Sequence, residues 1–317
     1  MKLVYLDAYA LNPGDLDWAT LEALGDVTFY DRTAPDQIVE RAKDADMLLV
    51  NKVRMNRETL AQLPNLRYIG VTATGYDIID GQAAREQGIT VTNVKGYSTE
   101  SVAQHTFALL LELAYRTSVH ASSVQRGDWA SNPDFCYWKT PLVELAGKTL
   151  GVVGFGDIGR RVAEIGRAFA MNVIVNRRHT ADTPPEGIRY VDISTLFAES
   201  DVVSLHCPMT AENKGFVNQE LLAKMKKTAY FLNTSRGGLV TENDLAEALN
   251  KGTIAGAGLD VLTQEPPSSG NPLIGAKNCV LTPHIAWASF EARQRLLAIT
   301  VENIKAFLAE KPQNVVN

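Results

Sequence analysis

Short apolar runs alternate with amphipathic stretches from the first residues of the chain. Runs rich in Val, Ile and Leu at 2–6, 27–30, 47–50, 68–72 and 90–94 predict strands. Stretches near 16–23, 34–42, 57–63 and 81–87 carry helical spacing between them. Continuous apolar runs point to strands covered on both faces, and strands separated by helices point to a parallel sheet. The rhythm then changes. Residues 99 to about 126 predict one long helix without Pro or Gly, N-capped by Ser98 or Thr99 and stopped by Gly127. An irregular segment, 128–141, holds Trp129, Phe135, Tyr137 and Trp138. A second alternation starts at Thr149, with strands at 149–153, 173–176, 202–206, 229–233, 254–260 and 279–282 and a last helix at 291–308. The pattern predicts an α/β chain of two doubly wound parallel-sheet units, with the last helix packing back on the first.

Composition narrows the class. The 317 residues suit two domains at about 150 residues each. An apolar content of 45% excludes disorder, and 23 glycines exclude a collagen-like repeat. Lys and Arg number 31 against 36 acids, a net charge of −5, so no basic excess exists to bind nucleic acid. The apolar run Phe107–Leu111 ends at Glu112, well short of the roughly 20 residues of a membrane helix. Cys136, Cys207 and Cys279 show neither metal-ligand spacing nor a disulfide framework. The first residues read as a strand rather than a signal peptide, which places the protein in the cytoplasm.

The second alternation opens on a motif. Gly154-Phe155-Gly156-Asp157-Ile158-Gly159 follows the strand at 149–153 and leads into a helical pattern at 160–170. In that context the glycines mark a dinucleotide site. Gly154 permits the tight turn, Gly156 admits a pyrophosphate and Gly159 lets helix and strand pack closely. The acid that usually binds the NAD ribose some 20 residues on is missing. Arg177 and Arg178 stand there instead. Guanidinium forks suit a 2′-phosphate, so NADP(H) is expected to be preferred, with NAD(H) as the alternative. Adjacent arginines also read simply as solvated side chains.

Three later segments place reactive side chains just past strand ends: 231–238 with Arg236, 258–266 with Glu265, and 281–287 with His284. Ligands bind beyond the carboxyl ends of such strands. An arginine clamps a carboxylate, a histidine exchanges a proton with a carbonyl oxygen, and a carboxylate beside it favours the protonated ring. Each also has a structural reading alone, as do His105, His120 and His206.

With these motifs the chain resembles the D-isomer-specific 2-hydroxyacid dehydrogenase family over essentially its whole length. The glycine motif, 206–210, 233–237, Asp260 with Glu265-Pro266, and Pro283-His284 occur in the family's order. The resemblance implies two Rossmann-like domains with a cleft between them. One is substrate-binding, 1–98 plus 286–317; the other is dinucleotide-binding, 99–285. It implies that His284 is the acid–base residue, that Glu265 raises its pKa, and that Arg236 holds the carboxylate and keto oxygen of a small 2-keto acid. Asp260 resembles the acid that takes the cofactor carboxamide. Thr106, Cys207 and Pro208 resemble cofactor-lining residues, and Thr234 and Ser235 join them. Residues 73–77 resemble the loop whose Thr74 and Gly75 amides take the substrate carboxylate. The family is commonly dimeric through the long helix and the aromatic segment. Two departures stand out: Ala73 replaces a usual Gly, and Arg177 replaces the usual Asp.

Residues 96–105 and 284–289 look most like the glycerate dehydrogenase / hydroxypyruvate (glyoxylate) reductase branch. There Trp287 would narrow the pocket for hydroxypyruvate or glyoxylate, or else pack at the domain interface. Lys52 is a further candidate for facing substrate. Glu265 argues against a formate dehydrogenase, which would have Gln. Many phosphoglycerate dehydrogenases carry an added regulatory domain, and none is expected here, the sequence ending at Asn317. The alternatives are a dehydrogenase for another 2-hydroxy acid and a dinucleotide-sensing corepressor.

Overall fold

The computed structural model describes residues 1–178 and 183–317. The chain divides into two compact units, Met1–Ser98 with Ala288–Asn317, and Thr99–Trp287.

In the first unit, β1 (Lys2–Tyr5), β2 (Asp26–Phe29), β3 (Met47–Val50), β4 (Tyr68–Val71) and β5 (Thr90–Thr92) form a parallel sheet in the order β2-β1-β3-β4-β5. Val4, Leu48, Ile69 and Val91 belong to the core on one face. The last helix, Phe290–Leu308, packs on this unit. Phe307 meets Tyr68 with ring centroids 4.8 Å apart. The Arg293 guanidinium grips Asp15 through two hydrogen bonds of 2.6 Å.

The order reverses between β1 and β3, and Asp7 sits at that reversal. Its carboxylate accepts the amides of Asn51 (2.8 Å), Lys52 (2.6 Å) and Val53 (3.2 Å). Burial pushes this carboxyl above its usual range, against the pull of those amides.

The second unit holds β6 (Thr149–Val153), β7 (Asn172–Asn176), β8 (Ile188–Tyr190), β9 (Val202–Leu205), β10 (Tyr230–Asn233), β11 (Gly256–Leu259) and β12 (Cys279–Leu281). They form one parallel sheet in the order β12-β11-β10-β9-β6-β7-β8. Side chains alternate across it. Phe231 enters one core with Leu205 and Leu245, and Leu232 enters the other with Val152 and Phe107. Both faces are therefore buried, as the unbroken apolar runs predict.

Two expectations need correcting. The single long helix is two, Thr99–Tyr115 and Thr117–Gln125, because Arg116 turns left-handed at φ 48°. Glu112 reaches across the break to accept the Ser118 amide at 3.3 Å, and Arg116 donates to Asn278 at 2.7 Å. The break needs no Gly or Pro: one local contact and one long-range contact accompany it. The edge strand β8 was also not expected, since Ile188-Arg189-Tyr190 has no apolar run. Among the described residues no helix is long and apolar enough to cross a membrane.

Replacing Asp7 by Ala leaves three amides without their acceptor, at about 1–3 kcal/mol each when buried. The expected loss of unfolding free energy is at least about 3 kcal/mol in a urea titration; a loss under about 1 kcal/mol would show that water or neighbours take over those amides.

Candidate active site

All seven strands of the second sheet run one way, so their carboxyl ends share an edge. Gly154 follows β6, Arg177 follows β7, His206 follows β9, Thr234 follows β10, Asp260 follows β11 and Thr282 follows β12. The order reverses between β6 and β9, where a doubly wound sheet opens its crevice. Gly154 takes φ 95°, and a Cβ on it would lie 2.6 Å from the His206 carbonyl. A Cβ on Gly159 would lie 2.1 Å from the Gly154 oxygen. Only glycine fits either place. Gly156 differs, with nothing within 4 Å of a Cβ position. It caps the helix Asp157–Ala168, and no side chain caps that end. The helix begins inside the motif, so Asp157 and Ile158 lie in its first turn, three residues earlier than the sequence pattern predicts. Open space over unpaired helix amides fits a pyrophosphate.

Around this turn, Phe155 is buried beneath the Arg160 guanidinium, 4.8 Å from the ring centroid, and meets Tyr190 edge-on at 6.2 Å. Arg177 donates to the Tyr190 hydroxyl at 3.2 Å. Arg178 is exposed. Burial pushes the Cys207 thiol up, and the Arg178 charge pulls against it. Asn213 holds the Cys207-Pro208 turn, donating to the Pro208 carbonyl at 2.9 Å and accepting the Thr210 amide at 2.6 Å. His206 bonds Ser204 at 2.8 Å, and loss of hydration pushes its ring down to about 3.

The remaining residues gather past β10, β11 and β12. Buried Asn233 accepts from Ser235 (amide and hydroxyl, each 3.0 Å) and donates to the Arg236 carbonyl at 2.9 Å. That fixes a turn from which Arg236 projects, exposed. Gly237 follows, and a Cβ on it would lie 2.0 Å from the Leu262 carbonyl carbon. The Arg236 turn therefore lies against the loop that carries Glu265. Glu265 accepts the Leu262 amide on Oε1 at 2.9 Å, while its Oε2 lies 2.6 Å from His284 Nδ1. A carboxylate only accepts, so Nδ1 carries a proton and Nε2 is the nitrogen left to exchange one.

His284 is left-handed at φ 55°, a costly state for a non-glycine residue. Asp260 holds it there. The Asp260 carbonyl accepts the His284 amide at 2.9 Å. Its carboxylate accepts Thr282 Oγ1 (2.6 Å), the Ile285 amide (2.9 Å) and the Ala286 amide (2.8 Å). Burial alone would raise this carboxyl. Bonds from His105, Thr282, Ala286 and Ile285 outweigh burial and hold it below the usual range. The turn thus keeps its anchor as pH falls through the usual carboxylate range and loses it only below.

Sequence reasoning missed several supports. Ser101 and His105, four residues apart, share a face of the helix Thr99–Tyr115, and Thr106 is the next residue along. Ser101 donates to the Ala286 carbonyl at 2.6 Å, His105 Nε2 lies 2.9 Å from Thr282 Oγ1, and Thr106 meets Thr234 hydroxyl to hydroxyl at 3.0 Å. Only Thr106 was expected at the site; the spacing of polar residues on a helix that is otherwise apolar was the available signal. Trp287 is half-buried at the end of this unit. In the first unit, Thr74 and Gly75 follow β4, and Lys52 follows β3 with its side chain exposed.

Asp260→Asn turns one acceptor into a donor facing a donor. It is expected to cost about 1–3 kcal/mol and to lower turnover with it. An unchanged urea midpoint and unchanged rate would show that the anchor is dispensable.

The family model of the D-isomer specific 2-hydroxyacid dehydrogenase, NAD binding domain, matches residues 107–286. The chain is 48% identical to a hydroxypyruvate reductase of Blautia hydrogenotrophica, over 100% of both. It is 43% identical to a glycerate dehydrogenase of Methylorubrum extorquens, over 99% of this chain and 98% of the relative. Among solved structures, an acyclic imino acid reductase (Bsp5) in complex with NADPH and D-Arg superposes with a TM-score of 0.87 at 34% identity, over 100% of both chains. A glycine turn with room for a pyrophosphate, a histidine–carboxylate pair whose loop touches the Arg236 turn, and these matches agree. The chain belongs to the D-isomer specific 2-hydroxyacid dehydrogenase family, oxidoreductases that act on CH–OH groups.

Proposed function

We propose that this protein reduces a small 2-keto acid, hydroxypyruvate or glyoxylate, to the D-hydroxy acid with NADP(H) as its preferred cofactor. The observation that carries this reading is the 2.6 Å pair of His284 and Glu265, set in one loop cluster with Arg236.

The chemistry follows from the side chains. Glu265 orients the imidazole through Nδ1, so His284 Nε2 gives its proton to the keto oxygen in reduction and takes it back in oxidation. Arg236 holds the substrate carboxylate and keto oxygen and draws charge from the carbonyl. The amides of Thr74 and Gly75 take the carboxylate. When bound, the nicotinamide supplies the hydride to the carbonyl carbon. The Thr99–Trp287 unit holds the dinucleotide: the 154–159 turn takes the pyrophosphate, and Thr106, Cys207, Pro208, Thr234 and Ser235 line the remainder. Asp260 Oδ2 accepts the Ala286 amide and keeps acceptor capacity for a carboxamide. The other unit binds substrate, and Trp287 restricts its size.

Arg177 and Arg178 support NADP(H). They follow β7, where an NAD enzyme places an acid. The Tyr190 hydroxyl supports the Arg177 fork from below. The names of the relatives support the substrate class. Trp129, Phe135 and Trp138, from 52% to 88% exposed, support a homodimer through this aromatic segment. Free thiols at Cys136, Cys207 and Cys279 suit the cytoplasm.

Initial rates with hydroxypyruvate and glyoxylate, each with NADPH and NADH, test the reading. Faster oxidation of NADPH is expected; turnover with NADH alone would overturn the cofactor assignment, and none with either cofactor would overturn the activity. His284→Ala is expected to reduce kcat by about 10²–10⁴-fold while NADPH binding stays unchanged; near-normal kcat would remove its role. Arg177→Asp should move preference toward NADH, and an unmoved ratio of kcat/KM values would refute the ribose-pocket assignment.

A further inference from the structure

We propose that Asn93 is a positioning residue that aims the substrate-binding amides of Thr74 and Gly75. The inference rests on the carboxylate reading above and names the group that makes it possible.

The loop after β4 is stitched to the residues after β5 by three hydrogen bonds. The Val94 amide donates to the Ala73 carbonyl at 3.0 Å. Thr74 Oγ1 donates to the Val94 carbonyl at 2.9 Å. Asn93 Nδ2 donates to the Thr74 carbonyl at 2.7 Å. In a trans peptide the C=O and the following N–H point in opposite directions. Turning the Ala73 carbonyl toward Val94 therefore turns the Thr74 N–H away from it. Turning the Thr74 carbonyl toward Asn93 likewise turns the Gly75 N–H away. Neither amide donates to a group among the described residues. Two adjacent amides aimed the same way make an anion site. Backbone of Val94 sets one of them; the Asn93 side chain sets the other.

Asn93 is built for this task. It is 1% exposed. Its own backbone is held independently, its amide donating to the Asn314 carbonyl at 3.1 Å and its carbonyl accepting Asn303 Nδ2 at 3.0 Å. The side chain is thus free of any part in that anchoring. Its Oδ1 is buried and finds no donor among the described residues, a cost natural structures rarely carry. Flipping the amide would aim an oxygen at the Thr74 carbonyl. The orientation is dictated by the loop, and the side chain bears the unmatched oxygen in exchange.

Asn93→Leu separates this role from a merely structural one. Leucine keeps the branched shape and removes both the donor and the unmatched oxygen. We expect its thermal midpoint to stay at or above that of the parent, and NADPH affinity by fluorescence titration to stay within two-fold. KM for glyoxylate should rise at least ten-fold, with a smaller fall in kcat. Should leucine not fit, Asn93→Ala carries the same expectation for KM. An unchanged KM in a folded variant would overturn the proposal, as would a loss of NADPH affinity equal to the rise in KM. The parent enzyme tests the underlying reading separately, by comparing glyoxylate with its methyl ester. Equal kcat/KM for acid and ester would sink the carboxylate site itself. Strong preference for the acid, with parent-like kinetics in the variant, would sink only the role of Asn93.

Discussion

The carboxylate of Asp260 gathers the hydroxyl of Thr282 and the amides of Ile285 and Ala286, and the chain after β12 takes its shape from that one charge. A left-handed histidine does not hold itself. Here the backbone of the same aspartate takes the His284 amide, so one residue fixes both the strained backbone and the residues beyond it. Because Asp260 directly follows β11, the sheet itself locates the His284 imidazole. Because His105 and Ser101 reach the same turn from a helix, the position is set from two sides. The position of the imidazole is thus set by groups outside the His284–Glu265 pair.

Most of the second unit's strands were legible because strands covered on both faces are written as unbroken apolar runs. The glycine motif was equally legible, and for a sharper reason: at Gly154 and Gly159 any side chain would collide with backbone. Reactive residues past strand ends stood out by chemistry, and the fold brought Arg236, Glu265 and His284 into one cluster. What escaped notice was whatever depends on a distant partner. Arg116 breaks a helix without a breaker, and its side chain answers to Asn278 far along the chain. β8 is a strand by virtue of its neighbour β7 rather than by its own residues. Gly237 carries no mark of its own in the sequence, yet it lets two site loops touch. Asn93 carries no local periodicity that marks it, since its meaning lies in a carbonyl of another loop.

Both sheets reverse their order once, and the two reversals are treated differently. Between β6 and β9 the chain leaves helix amides uncovered beside an empty glycine. Between β1 and β3 it seats the carboxylate of Asp7 on three amides. A pyrophosphate approaching that second place would meet a fixed negative charge where it needs donors. The fold is duplicated, but its appetite for nucleotides is not. The Asp7 carboxylate thus fills at the first sheet's reversal the place that the second sheet leaves open beside Gly156. Asymmetry between two similar halves is here the work of a single side chain, a form of self-occupancy that turns a spare socket into scaffold.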